Sequence, residues 1–206
     1  MRSHLRLLLA IAAIVLPGTL YAARPTAEQS PGRASLAGQL LIASPDMGDP
    51  RFERTVILLV EHNQRGAFGI VVNRPVGERP LANVLDSFGE KSTGIEGKAR
   101  IFWGGPVQPQ AGFILHTAEY RRAETVDIDG RVAMTSSLEI LRDIASHKGP
   151  QKSLLAFGYA GWGPGQLEGE LRLQAWFTAP ADLNLIFDDD RQTIWDKALA
   201  RRPRDI

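Results

Sequence analysis

The segment that reads GYAGWGPGQL, residues 158–167, is the first place in this sequence where chemistry could be organised. A glycine-rich turn between a strand and a helix can present backbone N–H groups to an anion. The segment lacks the Gly-Lys-Ser/Thr of a phosphate-binding loop, and Gln166 stands where a dinucleotide fingerprint needs its third glycine. Two interpretations stay open: a structural turn anchored by Trp162, or a ligand pocket lined by Gly161, Trp162, Gly163 and Gln166.

Two histidines and one arginine could add acid–base chemistry and anion binding. His62 and His116 each end a predicted strand, so they could meet in space. Arg74, in an Asn-Arg-Pro sequence, could hold a carboxylate or phosphate. The simpler interpretation of each residue is a side chain that satisfies backbone groups at a strand end. The histidine spacings match no metal-binding motif, so we predict neither a metal site nor a cofactor.

The elements that must position these residues alternate along the chain. Apolar, β-rich runs predict strands at residues 39–43, 55–60, 67–72, 101–103, 112–116, 154–159 and 174–178. Helices are predicted from Pro80, from a Ser136–Glu139 capping box to Gly149-Pro150, over 166–173, from Pro180 and over 191–200. The short connection between the second and third strands predicts a hairpin. Strands interleaved with helices, together with a hairpin, favour an α+β fold with a mixed sheet.

The first 22 residues have the layout of a secretory signal peptide. Arg2 and Arg6 precede the apolar run LLLAIAAIVL at residues 7–16, and small residues follow a Pro-Gly pair. The run is shorter than the ~20 residues that a membrane-spanning helix needs. We therefore predict a signal peptide over residues 1–22, a linker over 23–34 and one domain over 35–206. An uncleaved N-terminal anchor is the alternative, because Leu20 or Tyr21 would stand three residues before the cleavage point.

Charge and cysteine content exclude several classes of function. The 206 residues contain 24 Lys+Arg and 23 Asp+Glu, and loss of residues 1–22 would remove two arginines and no acid. A near-neutral chain without a helix-turn-helix pattern is not expected to bind nucleic acid. The absence of cysteine excludes disulfides, thiol nucleophiles and Cys-ligated metal clusters. In an oxidising periplasm the fold would be held by core packing without disulfides.

Several blocks of this sequence, in the same order, resemble the AlgH/YqgE family of bacterial proteins. They are Gln39–Pro45 with 49–56, Glu61–Asn63 with Gly69 and Asn73–Pro75, Gly104–Val107 with Gly112–His116, and Gly158–Leu167 with Glu170. The resemblance covers roughly residues 36–190 and implies a compact α+β domain whose branched β-sheet is wrapped by helices. It carries over no catalytic residue, because the family has no established activity, and the family's "transcriptional regulator" label follows a proposed link to alginate synthesis. Most members look cytoplasmic and begin near the equivalent of Ser35.

Three classes of function follow from these observations. We expect first a non-enzymatic regulatory or binding domain in the periplasm, with a protein partner or a small anionic ligand, and with membrane contact only through an uncleaved leader. The second class is a hydrolase-like enzyme with a cleft near residues 158–167, His62 or His116 as general base and Arg74 as anion clamp. Convergence of those side chains with Trp162 on one pocket would favour the enzyme. The third class, a DNA-binding regulator, is disfavoured by the leader and the charge.

Overall fold

The computed structural model describes residues 35–187 and 190–203, which form ten β-strands and five helices. The predicted signal peptide and linker fall on residues 1–34 and lie outside the described residues. In the described part of the chain, no helix is long and apolar enough to cross a membrane.

The strands and helices alternate in the order that the sequence pattern predicts, with three additional strands. The strands are β1 Gln39–Ala43, β2 Val56–Asn63, β3 Gly66–Val71, β4 Pro75–Pro80, β5 Lys98–Trp103, β6 Val107–Thr117, β7 Val126–Asp127, β8 Val132–Thr135, β9 Ser153–Trp162 and β10 Trp176–Pro180. The helices are α1 Leu81–Ser87, α2 Glu139–Ala145, α3 Gln166–Arg172, α4 Leu183–Phe187 and α5 Ile194–Ala200. The strands that the pattern missed are β4, β7 and β8.

The sheet branches at β9. Its main path runs β10-β1-β2-β3-β9-β6-β8-β7, while β5 also pairs with β9, and β4 pairs with β5. Among the described strands, β5 and β9 are parallel and the other pairs are antiparallel, including the predicted β2–β3 hairpin. The α+β class with a mixed sheet is therefore confirmed.

Glycines permit the close backbone approach at this branch. A Cβ on Gly104 would lie 2.2 Å from the carbonyl oxygen of Gly158, and one on Gly105 would lie 2.1 Å from the carbonyl carbon of Tyr159. Gly158 itself has φ +76°, a conformation that L side chains rarely adopt. The Gly104-Gly105-Pro106 sequence thus has the structural role of letting the chain leave β5 against the backbone of β9.

Three apolar clusters bury the two faces of the sheet. On one face, α4 and α5 cover the largest cluster, which includes Leu40, Leu58 and Trp195. On the other face, Leu167 of α3 packs into a second cluster with Trp162 and Trp176. The helices α1 and α2 cover a third cluster, which contains Ile101 and Ile114. The helices therefore wrap the sheet as the resemblance implied.

Four local predictions are wrong. Pro180 ends β10 and does not start a helix, because Ala179 and Pro180 still pair with β1. The Ser136–Glu139 capping box does not form: Leu138 is the N-cap of α2 and makes no side-chain cap bond. Helix α2 ends at Ala145, before Gly149-Pro150. The predicted strand ends at residue 159, but residues 160–162 continue β9, so only residues 163–165 turn the chain into α3.

Candidate functional site

The one tryptophan of segment 158–167 shares a carboxylate with a tryptophan of a distant strand. Oε2 of Glu170, on α3, accepts the indole N–H of Trp162 at 2.9 Å and that of Trp176 at 2.8 Å. The two tryptophans come from β9 and β10, which have β1, β2 and β3 between them in the sheet, yet their rings meet at 6.0 Å. Both indoles are buried. Glu170 therefore clamps two distant strands through one helix, an arrangement that we call the tryptophan clasp.

The turn before α3 closes on itself. Oε1 of Gln166 accepts the backbone N–H of Gly163 at 3.1 Å, and its Nε2 donates to Oε1 of Glu170 at 2.9 Å. Gly165 has φ +74°, which suits glycine at the start of this short helix. The side-chain atoms of Gln166 expected to face a ligand are thus engaged by the turn and the clasp, while Gly161 and Gly163 are exposed.

An aromatic row extends from the clasp to Arg74. Phe52 lies 5.5 Å from Trp176 and 6.1 Å from Trp103, measured between ring centroids. The guanidinium of Arg74 lies 5.6 Å from the ring centroid of Trp103 and donates to the backbone carbonyl of Glu53. Arg74 therefore stands at the end of the row opposite Trp162, and it holds the 44–54 loop against the strand ends.

His62 is engaged on both ring nitrogens. Its Nδ1 accepts the backbone N–H of Leu36 at 3.0 Å, so in the neutral ring the proton is on Nε2, which donates to Oε1 of Glu168 at 3.1 Å. The backbone carbonyl of His62 also accepts the hydroxyl of Ser35 at 2.9 Å. The ring is buried beside α3 and joins the start of the domain to that helix.

His116 lies fully buried in a separate hydrogen-bonded chain. Its Nδ1 contacts the carbonyl of Thr117 at 3.0 Å, so this nitrogen donates, and Nε2 accepts the hydroxyl of Thr135 at 2.9 Å. The Thr135 oxygen then accepts from the hydroxyl of Thr125, which in turn accepts the backbone N–H of Arg122. Burial lowers the pKa of the His116 ring below its usual value.

The predicted site residues thus form three separate groups. Trp162, Gly163 and Gln166 lie together at the clasp, and His62 reaches the same helix through Glu168. Arg74 is at the far end of the aromatic row, and His116 is bound to β8. In this arrangement neither His62 nor His116 shares a pocket with Arg74. Among the described residues, no group of three or more His, Asp or Glu side chains could hold a metal ion.

The sequence interpretation missed the residues that do most to organise this face. The sequence pattern predicts a helix over 166–173 but gives Glu168 and Glu170 no role, although the four-residue spacing places the side chains of Gln166 and Glu170 on one face of α3. Glu170 lies only six residues before Trp176, but the ring contacts of Trp176 come from Phe52 in a distant loop and from Trp162 in β9, so they leave no local signal.

Two clefts lie beside the tryptophan clasp. One, of about 320 Å³, lies beside Trp162 and the β2–β3 hairpin, and another, of about 680 Å³, lies along β10.

Comparison with known proteins gives consistent matches over most of the chain. A family model described as AlgH-like matches residues 40–206. A UPF0301 protein of Rhodospirillum rubrum is 43% identical over 166 residues, which are 81% of this chain and 86% of that protein. A UPF0301 protein of Methylococcus capsulatus is 40% identical over 168 residues, covering 82% of this chain and 92% of the relative.

Two solved structures share this fold. The solution structure of the AlgH protein from Pseudomonas aeruginosa matches with a TM-score of 0.71 and 43% identity, covering 82% of this chain and 89% of that one. A crystal structure of a protein from Corynebacterium diphtheriae matches with a TM-score of 0.64 and 23% identity, covering 81% and 87% of the two chains. The second likeness concerns the fold alone.

Proposed function

The chain belongs to the AlgH-like family, and we propose that its domain acts by binding a partner and does not catalyse a reaction. The observation that carries this proposal is the hydrogen bonding of the two candidate bases. In His62 and His116 every ring nitrogen has a partner within the protein. A general base needs a lone pair within reach of the substrate proton, and both acceptor nitrogens already receive a protein N–H or O–H.

Arg74, the anion clamp of the enzyme hypothesis, also contacts groups of the protein itself. Arg74 donates to the carbonyl of Glu53 and lies over the ring of Trp103. Its guanidinium therefore supports the loop before β2, at the opposite end of the aromatic row from Trp162. These contacts favour a scaffold whose motif residues hold the fold, with binding left to exposed surface.

The distribution of positive charge disfavours DNA as the partner. Many described arginines pair with acids on the domain's own surface, among them Arg51 with Asp49, Arg131 with Asp129 and Arg201 with Asp182. A phosphate-binding face needs lysine and arginine side chains that stay available to the nucleic acid. We propose a protein as the partner, and the periplasm as the compartment, as residues 1–22 predict.

The enzyme alternative can be tested directly. We would incubate the purified chain, and its Arg74→Ala and His62→Gln variants, with chromogenic p-nitrophenyl esters and phosphates. The expected result is release of p-nitrophenol at the buffer rate for all three proteins. Turnover by the wild type that falls at least tenfold in a folded variant would overturn the proposal. The Arg65→Ala variant, which changes an exposed arginine of the β2–β3 turn, is the matched control.

A further inference from the structure

Strand β10 forms an outer edge of the sheet. It pairs with β1 from Gln39 opposite Pro180 to Ala43 opposite Trp176, and no other strand of the described chain pairs with it. An outer strand presents backbone N–H and C=O groups that another extended chain can use.

The hydrogen-bond pattern shows which groups of β10 point outwards. The backbone N–H of Ala43 donates to Thr55 of the chain leading into β2, at 3.0 Å, so Ala43 faces away from β10. Its opposite residue, Trp176, is therefore in a non-hydrogen-bonded pair, and its N–H and C=O face away from β1. The groups of Thr178, two residues further, face the same way. Pro180 has no N–H and ends this series.

A cleft of about 680 Å³ runs along this edge. A volume of that size lies within the range of about 300–1,000 Å³ seen for ligand sites. Its walls come from the end of α3, from β10 and from the chain after α5: Leu171, Gln174, Trp176, Phe177, Thr178 and Arg202 are among the lining residues. Beside it, Leu173 is 83% exposed, which adds apolar surface next to the strand edge.

Arg202 is the one charged residue among the described residues that line the cleft. The guanidinium of Arg202 lies 4.4 Å from the ring centroid of Phe177. Among residues 35–187 and 190–203, no carboxylate pairs with Arg202, and no acid lines the cleft. The neighbouring Arg201 is different, because it pairs with Asp182 at 2.7 Å. Arg202 is thus a cation held on an aromatic face beside outward backbone groups.

We propose that β10 binds an extended peptide segment of another protein as an added strand, with Arg202 pairing with a carboxylate of that segment. The inference rests on the proposed function, since it names the surface and the partner of the binding domain. Trp176 and Thr178 supply main-chain hydrogen bonds, and the five residues of β10 match a segment of about 16 Å. Leu171 and Leu173 provide apolar contacts for its side chains.

A second copy of this chain is a poorer occupant of the same edge. Symmetric pairing of two β10 strands would place the two Phe177 side chains on one face of the joined sheet. Each carries its own Arg202, so the two guanidinium groups would approach each other there. Like charges on one face of paired strands are destabilising. An acidic segment meets the cleft without this repulsion.

The test uses a pentapeptide amide of alternating threonine and valine that ends in glutamate, with fluorescein coupled to its N-terminal amine. We expect its fluorescence polarisation to rise with added protein. Arg202→Gln, or glutamine in place of the peptide's glutamate, should weaken binding at least tenfold, and Arg201→Gln should leave it unchanged. N-methylation of alternate peptide nitrogens should abolish binding, because it removes strand addition without changing the protein.

Four results would overturn the inference. The first two are that polarisation does not change up to millimolar protein, or that the N-methylated peptide binds equally well. The third is that the peptide shifts the amide NMR signals of residues 61–68 and not those of 176–178. The fourth is that light scattering gives the mass of two chains and that Arg202→Gln halves this mass. None of them concerns catalysis. Residue-dependent turnover in the p-nitrophenyl assays would instead overturn the proposed function, whatever the peptide does.

Discussion

The ring Nδ1 of His62 accepts the backbone N–H of Leu36 at 3.0 Å, across 26 residues of sequence. This bond places the proton of the neutral ring on Nε2, where Glu168 of α3 accepts it at 3.1 Å. The imidazole therefore connects the first residues of the domain to the helix that carries the tryptophan clasp. A histidine that the sequence offers as a base is used as a structural connector.

Replacing His62 by phenylalanine should loosen the start of the domain. The variant keeps a planar apolar ring but loses the acceptor, so the Leu36 amide should exchange with solvent about tenfold faster, the equivalent of ~1.4 kcal/mol. Hydrogen–deuterium exchange read by NMR measures this. Ser35→Ala, which removes the hydroxyl bond to the His62 carbonyl and leaves the ring bond, is the control. Unchanged exchange of Leu36 in His62→Phe would contradict the assignment.

The buried His116 should make the domain less stable in mild acid. Because burial holds its folded pKa below the unfolded value of about 6.5, the unfolded chain binds the proton more readily. Stability from this group is fully present above that pH and is lost as pH falls towards the folded pKa. We expect the His116 ring to titrate below pH 6.5 by NMR, and Tm to fall between pH 7 and 5. His147→Asn, at an exposed position, should keep that Tm dependence. A His116 titration at or above 6.5 would count against the prediction.

The tryptophan clasp should contribute strongly to stability. Glu170→Ala leaves two buried indole N–H groups without an acceptor, which should cost about 2–3 kcal/mol in the free energy of unfolding. Glu170→Gln keeps one oxygen for the indoles and should cost less. Trp162→Ala should cost roughly 3–5 kcal/mol, because a buried aromatic side chain is lost.

Urea denaturation followed by tryptophan fluorescence measures these changes in unfolding free energy. Glu96→Ala, at an exposed position, should stay within ~0.5 kcal/mol of wild type. If Glu170→Ala were as stable as that control, the clasp would have no energetic role.

Two glycines with ordinary φ angles provide a matched test of the branch point. An added Cβ at Gly104 would meet the Gly158 carbonyl oxygen at 2.2 Å, whereas one at Gly48 would meet nothing within 4 Å. Gly104→Ala should therefore lower stability by more than ~3 kcal/mol or prevent accumulation of folded protein, since backbone must move. Gly48→Ala should melt within a few degrees of wild type by circular dichroism. Equal melting of the two variants would contradict the crowded branch.

The predicted signal peptide can be tested by fusing residues 1–34 to a reporter. Fused to a reporter enzyme that becomes active only after export, these residues should give activity, because their basic start and apolar run suit the secretion machinery. Changing two leucines of the run to arginine should abolish it. N-terminal sequencing of the exported protein then shows whether cleavage follows residue 22. Activity confined to a strictly cytoplasmic reporter would return the protein to the family's usual compartment.

Local pattern was sufficient for much of the fold. The short apolar runs predicted β1, β2, β3 and β9, because a bounded run of apolar and aromatic residues is typical of a buried strand whatever its partners are. The helix predicted over 166–173 is also present, as α3. Strand β4 was not predicted because all six of its residues are exposed, so its sequence has no apolar pattern. The helix start predicted at Pro180 was wrong because proline is tolerated both in the first turn of a helix and on an edge strand.

The sequence by itself determined the α+β class, the family and the candidate residues, since those depend on neighbouring residues and on blocks read in order. Only the tertiary structure decided what the candidates do. Glu168 lies 106 residues from His62, and Thr135 lies 19 from His116, so no local spacing reports that these groups meet. The hydrogen bonds of the two histidines, and the place of β10 beside Arg202 as an outer strand of the described sheet, depend on how the branched sheet brings distant strands together.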